Sequence, residues 1–228
     1  MVAARQPAKS AAASRPPGRD AARTRERILR AAVREFATHG YSGGRIEAIA
    51  RRSDVAKGLV FHHFASKEGL YLAVMERIYE SLRRRQNETQ LEGLGPVEGM
   101  RRLVIDTFRG FREMPEIIRL MNEENLHRAR HIKGSRAIPA LYNPLVAAIE
   151  RLVAAGRDQG LFRTDVDPVA FYVALSGLGY FYMANRHTLG AVLQVDLTEP
   201  ARIAAYEEMI ADMAVAYLLG TVRGSPFA

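Results

Sequence analysis

A chain of 228 residues that is 48% hydrophobic and 25% charged has room for one large domain, or for a small domain joined to a larger one, and has the balance of an ordinary globular protein. The absence of cysteine excludes a disulfide framework, a cysteine-based zinc site and a thiol nucleophile. The net charge of +8 sits at one end: residues 1–90 hold 18 Lys and Arg against 9 Asp and Glu, whereas residues 91–228 hold 15 against 16. That asymmetry points to a polyanionic partner for the first part and a different task for the rest, although a solvated basic surface would carry the same charge.

Residues 1–22, rich in Ala, Arg, Lys, Pro and Ser, lack the apolar segment of a secretory signal and are expected to be a solvated basic tail. No apolar run reaches the roughly 18 residues of a bilayer span, so no membrane partner is expected and the cytoplasm is the expected compartment. From Arg23, the residues Ile28, Leu29, Ala32, Val33 and Phe36 recur at helical spacing up to a stop at His39-Gly40. Ile46, Ile49 and Ala50 define a shorter helix between Gly43-Gly44 and Ser53-Asp54, and a third short helix carries Val55 to Phe64. Ser66 is the expected N-cap of a fourth, in which Leu70, Val74, Ile78 and Leu82 continue to about Gln90.

Beyond Gly93, Gly95 and Pro96, helices are expected over Met100 to Met114, Glu116 to Ile132, Leu145 to Gln159, Pro168 to about Thr188, and Glu199 to Leu219, with Pro139 and Pro144 as punctuation. No segment alternates with period two and no internal repeat is present. The fold class is therefore all-α.

Two short helices behind a first helix, within the basic third of the chain, have the layout of a helix-turn-helix DNA-binding unit. The stretch GGRIEAIARRSDVAKGLVFHHFASKEGLYLAV resembles the DNA-binding domain of the TetR family of transcriptional regulators, and the resemblance covers about residues 23–78. It implies that Lys57, Gly58, Leu59, Phe61, His62 and His63 lie on a recognition helix entering the major groove. It also implies that Lys67 meets a phosphate, with Arg45 and Glu47 close to the backbone. Lys67 falls in a helix's first turn, whose free N–H groups favour an anion. Where the family usually has a serine, a threonine and a tyrosine, this chain has Ala56, Leu59 and Phe61, so three hydroxyls are lost and the contacts shift to Lys57, Arg45, Lys67 and the basic tail. Leu59 retains the option of touching a thymine methyl. Phe64 reads as core by periodicity, and His63 packs on the next helix or faces DNA. His62 and His63, as neighbours on a helix, do not share a face and make a poor metal pair.

The resemblance also implies a tail over 1–22, a helix-turn-helix domain over 23–68 and a larger helical domain over 69–228 that dimerises and holds a small-molecule effector. In EIIRLMNEENLHRARHI, the line Ile118, Met121, Asn122, Asn125, Ala129, Ile132 follows helical spacing and would turn Asn122 and Asn125 inward beside Leu126, where a buried amide needs a protein or ligand partner. Glu123, His127 and His131 on the same helix would span about 12 Å, too far for one ion. FYVALSGLGYFYMANRHTL is apolar nearly all round, with Ser176, Gly177 and Gly179 permitting close helix approach, and offers Tyr172, Tyr180, Tyr182 and Asn185 as ligand contacts. NEENLHRARHI and FYMANRHTL look like a proteobacterial subfamily related to the pyrimidine-utilisation regulator. No catalytic residue, metal site or cofactor is expected, because no nucleophile stands with a base and the histidines form no cluster with Asp. The expected function is a ligand-responsive repressor that binds a pseudo-palindromic double-stranded operator as a homodimer on the nucleoid and is released by a small effector. A structural protein binding DNA without sequence preference is the alternative.

Overall fold

A computed structural model describes residues 17–87, 91 and 93–220. Its elements are α1 (Pro17–Gly43), α2 (Ile46–Arg52), α3 (Lys57–Phe64), α4 (Lys67–Asn87), α5 (Pro96–Glu113), α6 (Pro115–Leu126), a 3-10 turn (Ile132–Gly134), α7 (Ala137–Asp158), α8 (Pro168–Leu193) and α9 (Pro200–Leu218). The described residues contain no strand.

Boundaries differ from expectation where local chemistry overrides spacing. α1 begins at Pro17, six residues before Arg23, with proline in the first turn and Asp20 facing the helix dipole; the rest of the expected tail, residues 1–16, lies outside the described residues. α4 is capped by Ser66, whose Oγ accepts the Gly69 N–H at 2.9 Å. The expected end of that helix, residues 88–90, also lies outside the described residues.

The expected helix from Glu116 to Ile132 stops at Leu126, because Arg128 and Ala129 take positive φ and the chain folds back. The cause is Glu124, whose buried carboxylate accepts the N–H groups of His131 and Ile132 at 3.2 and 3.3 Å and bonds the His131 ring at 2.6 Å. Pro144 does not punctuate: it lies inside α7, which begins at Ala137, where the Ser135 hydroxyl accepts the Ile138 N–H. α8 is capped by Asp167, which accepts from Val169 and Ala170, and runs five residues past Thr188.

α1 to α3 and the first turns of α4 form a head around Ile28, Phe36, Ile49, Val60, Leu70 and Tyr71. α4 continues as one helix into a bundle in which α5 is central, packed by α4, α7, α8 and α9. Met100, Leu103, Val104, Phe108 and Phe111 line its buried side. On its other side an ionic clasp holds α9. Buried Glu207 accepts from Arg109 at 2.6 and 2.9 Å and from Arg112 at 3.3 Å, while Arg101 bonds Glu208 and Asp212.

α7 is long and apolar enough to cross a membrane by length and composition, contrary to the expectation from the sequence. It packs on α4, α5 and α8 and buries Leu145, Ile149 and Val153.

Candidate DNA interface and effector domain

The head is held so that one side of α3 is core and the other is open. Glu35, buried on α1, secures both ends of α2: it accepts the Arg45 N–H at 3.2 Å and stands 3.9 Å from the Arg52 guanidinium. A Cβ on Gly44 would fall 2.5 Å from the Phe36 ring, so only glycine lets this turn close on α1. The turn from α2 to α3 is pinned by the buried Ser53 hydroxyl, which donates to the Ile49 carbonyl at 2.7 Å, and by the Val55 N–H on the Ala50 carbonyl. Val60 and Phe64 then anchor α3 to the core.

The opposite face of α3 exposes Lys57, Gly58, Leu59, Phe61 and His62, with His63 half-buried. Ala56 gives no side-chain cap, which leaves first-turn N–H groups of α3 open to an anion. Lys57 is paired at 2.6 Å with Glu47 on α2, and that ammonium holds the exposed Glu47 carboxyl below its ordinary value. Lys67 crosses to the turn before Arg45, donating to the Ser42 carbonyl at 3.3 Å with its ammonium 4.9 Å from the Tyr41 ring centre.

Sequence reasoning missed a second basic feature. Arg23, Arg27, Arg30 and Arg34 recur along α1 at i, i+4, i+7 and i+11 and are all exposed, and Arg52 extends the strip to the α2 end. The spacing was available in the sequence, hidden among the apolar positions of the same helix.

In the second domain the expected ligand residues separate. Tyr172 and Tyr180 turn into the bundle: the Tyr172 hydroxyl accepts from Arg83 at 3.0 Å, and the Tyr180 hydroxyl bonds Asn122. Asn122 and Asn125 are exposed rather than inward, because the buried side of α6 runs through Ile117, Ile118, Leu120 and Glu124 and both asparagines lie off that line; Leu126, at the end of α6, is 79% exposed. Tyr182 is buried and donates to the Leu197 carbonyl at 2.9 Å, and Asn185 donates to the Phe181 carbonyl of its own helix. The line Glu123, His127, His131 is broken by the end of α6, with His131 buried against Glu124. No group of three or more His, Asp or Glu placed to hold a metal occurs among the described residues.

A basic helix-turn-helix head on a larger helical domain defines a DNA-binding transcriptional regulator. Residues 28–74 match the family described as bacterial regulatory proteins, tetR family, and residues 96–214 match the tetracyclin repressor-like C-terminal domain. The chain belongs to the TetR family. It is 35% identical over 193 residues to the HTH-type transcriptional repressor NicS of Pseudomonas putida, spanning 85% of this chain and 91% of that protein. With the repressor AcnR of Corynebacterium glutamicum it shares 30% over 145 residues, 63% of this chain and 71% of the other. Among solved structures, the putative regulator SCO4942 of Streptomyces coelicolor aligns with a TM-score of 0.64 at 27% identity over 83% of this chain and 97% of its own. A tetR-family regulator from Rhodococcus RHA1 aligns at 0.66 with 20% identity over 86% and 96% and attests the fold. These relatives are transcriptional regulators, not enzymes. The chain is accordingly a ligand-responsive transcriptional regulator of repressor type, and a structural protein without sequence preference is not favoured.

Proposed function

We propose that the protein works in the cytoplasm as a homodimer, gripping a pseudo-palindromic operator with two α3 helices in successive major grooves about 34–36 Å apart and letting go when an effector enters the second domain. The observation that carries this reading is a pair of outward surfaces that the core of the single chain leaves open. One is the α3 face of Lys57, Gly58, Leu59, Phe61 and His62. The other is an apolar strip on α8 and α9.

On α8, Val169, Val173, Gly177 and Phe181 follow one another every fourth residue, and all are exposed. Gly177 opens onto empty space and permits close approach of another helix. On α9, Met209, Met213 and Tyr217 are exposed beside a groove of about 400 Å³ lined by Phe171, Leu175, Leu178 and Ala214. Apolar area of this kind is rare on a lone chain and suits a two-fold four-helix interface.

In the head, Lys57, Lys67, Arg45 and the α1 arginines hold phosphate, while Leu59 and Phe61 approach base edges. In the second domain, Tyr172 and Tyr180 face the effector. An effector changes operator occupancy only through its different affinity for the two head arrangements, and DNA opposes the effector by the same factor. Selection of bound sequences from a random DNA pool tests the reading. One inverted repeat, recovered by the wild type and weakened for Lys67→Ala, is the expected result; recovery of no common site refutes it.

A further inference from the structure

The interior of the second domain holds a buried arginine that the reading above does not use. Arg83 on α4 is 2% exposed. Its Nη2 donates to the Tyr172 hydroxyl on α8 at 3.0 Å, and its guanidinium carbon lies over Tyr142 on α7, 3.9 Å from the ring centre, with the Tyr172 ring at 5.7 Å. Tyr79, one turn earlier on α4, is buried with its ring 5.7 Å from Tyr142, and Tyr142 and Tyr172 stand 5.9 Å apart. Tyr142 and Tyr172 thus flank one guanidinium, with Tyr79 packed on Tyr142. Burial raises the Tyr79 and Tyr142 hydroxyls above their ordinary range, so both stay protonated and able to donate.

One turn beyond Tyr172 on α8, the Ser176 hydroxyl is buried and has no hydrogen-bond partner. One turn further stands Tyr180, bonded to Asn122. Tyr172, Ser176 and Tyr180 therefore form a polar line of about 12 Å on an otherwise apolar helix. A buried hydroxyl left unmatched costs free energy that a bound polar group would recover. A guanidinium taken from water is stabilised by an aromatic face, but its planar fork of donors fits a carboxylate better than a ring.

The covering element is also weakly tied. Pro144, two residues after Tyr142, has no N–H to offer the Ala140 carbonyl, so residues 137–143 are held to the rest of α7 by fewer hydrogen bonds, and Tyr142 rides on that segment.

We propose that Arg83, Tyr142, Tyr172 and Ser176 form the recognition site for a small organic carboxylate, and that this is the chemical class of the effector. The assignment rests on the regulator reading above. The guanidinium fork takes the carboxylate as Tyr142 swings aside with residues 137–143, and Ser176 bonds a second polar group of the ligand about 6 Å away, one helical turn along α8.

The test uses the full-length protein on its selected operator fragment, with benzoate and butanoate at millimolar concentration and, as neutral counterparts, benzamide and butanamide. At least one acid should raise the thermal midpoint and release DNA while its amide does neither. Arg83→Met, which keeps the volume without a buried charge, and Arg83→Lys should each weaken the acid by about tenfold or more. Ser176→Ala should weaken it severalfold, while the midpoint in the absence of acid stays the same or rises, since an unmatched buried hydroxyl is removed. Equal action of acid and amide, or a wild-type response from Arg83→Met, overturns the proposal. If both Arg83 variants unfold, an unchanged acid affinity in Ser176→Ala overturns it. Release of DNA only by the amides also overturns it but leaves the regulator reading standing. If the inverted repeat is bound and neither acid releases it, the carboxylate assignment is overturned while the operator reading stands.

Discussion

The carboxylate of Glu123, on α6, accepts the backbone N–H of Tyr41 at 3.0 Å, tying the second domain to the turn that leads into the helix-turn-helix. The contact is close: Gly40, just before it, has φ of 67°, and a Cβ there would fall 2.7 Å from a Glu123 oxygen. Next to it the Tyr41 ring packs on His131 at 4.3 Å and on Tyr71 at 5.1 Å. Glu123→Ala removes the acceptor of a half-buried N–H and should cost about 1–3 kcal/mol. Gly40→Ala forces a side chain into a backbone region that disfavours it and should cost at least about 1–3 kcal/mol. Urea denaturation measures both, and an unchanged midpoint in either would mean that this joint bears no load.

Lys57 is partly neutralised by Glu47, so Glu47→Gln should strengthen operator binding by about threefold and steepen its salt dependence. The sign with pH follows from the lowered carboxyl: Glu47 is ionised across neutral pH, and what the pair adds to stability is present above the ordinary carboxylate range and lost only as pH falls through the lowered value. Binding titrations between pH 6 and pH 8 should therefore show no contribution from this pair. A change in that window that vanishes in Glu47→Gln would contradict the assignment.

Lys67→Ala should weaken every DNA sequence alike and reduce the slope of log affinity against log salt by about 1, the signature of one phosphate contact. Arg27→Ala with Arg30→Ala tests the α1 strip in the same way. A loss confined to one sequence would indicate contact with a base edge instead.

Phe181 is 58% exposed and Val173 63% exposed, so Phe181→Arg and Val173→Glu should leave the fold of one chain intact. A charge buried in the α8 and α9 face should nevertheless prevent pairing. Sedimentation should report a monomer, with operator affinity lost together with the second half-site contact. A dimer that persists in both variants places the interface elsewhere.

Periodicity made the helices and the head legible, since Ile28, Leu29, Ala32, Phe36, Ile46 and Ile49 mark their buried sides unaided. The end of α6 was not legible: NEENLHRARHI has no glycine or proline to signal a break, and the stop comes from a carboxylate folding back on His131, a tertiary effect. Pro144 misled in the opposite direction, since a helix anchored elsewhere by Leu145, Ile149 and Val153 tolerates one missing bond. Arg83 lay hidden in a run of three arginines that looks solvated, although Glu76, Tyr79 and Arg83 share one face of α4 by spacing. Asn122 and Asn125 were placed inward by starting the buried line at Ile118 and Met121, whereas the face that packs runs through Ile117, Leu120 and Glu124.

The clasp between α5 and α9 sets a schedule for biosynthesis. Arg109 and Glu207 are 98 residues apart, and at about 5–20 residues per second a ribosome needs roughly 5–20 s to supply the second after the first. Through that interval the head is already complete, while α5 waits with a basic, partly apolar flank uncovered. A nascent chain therefore completes its DNA-reading head well before it gains the second domain through which two heads are paired on an operator. Stalled or truncated products lacking residues 200–218 would be clients for chaperones, with a head but no means of being switched.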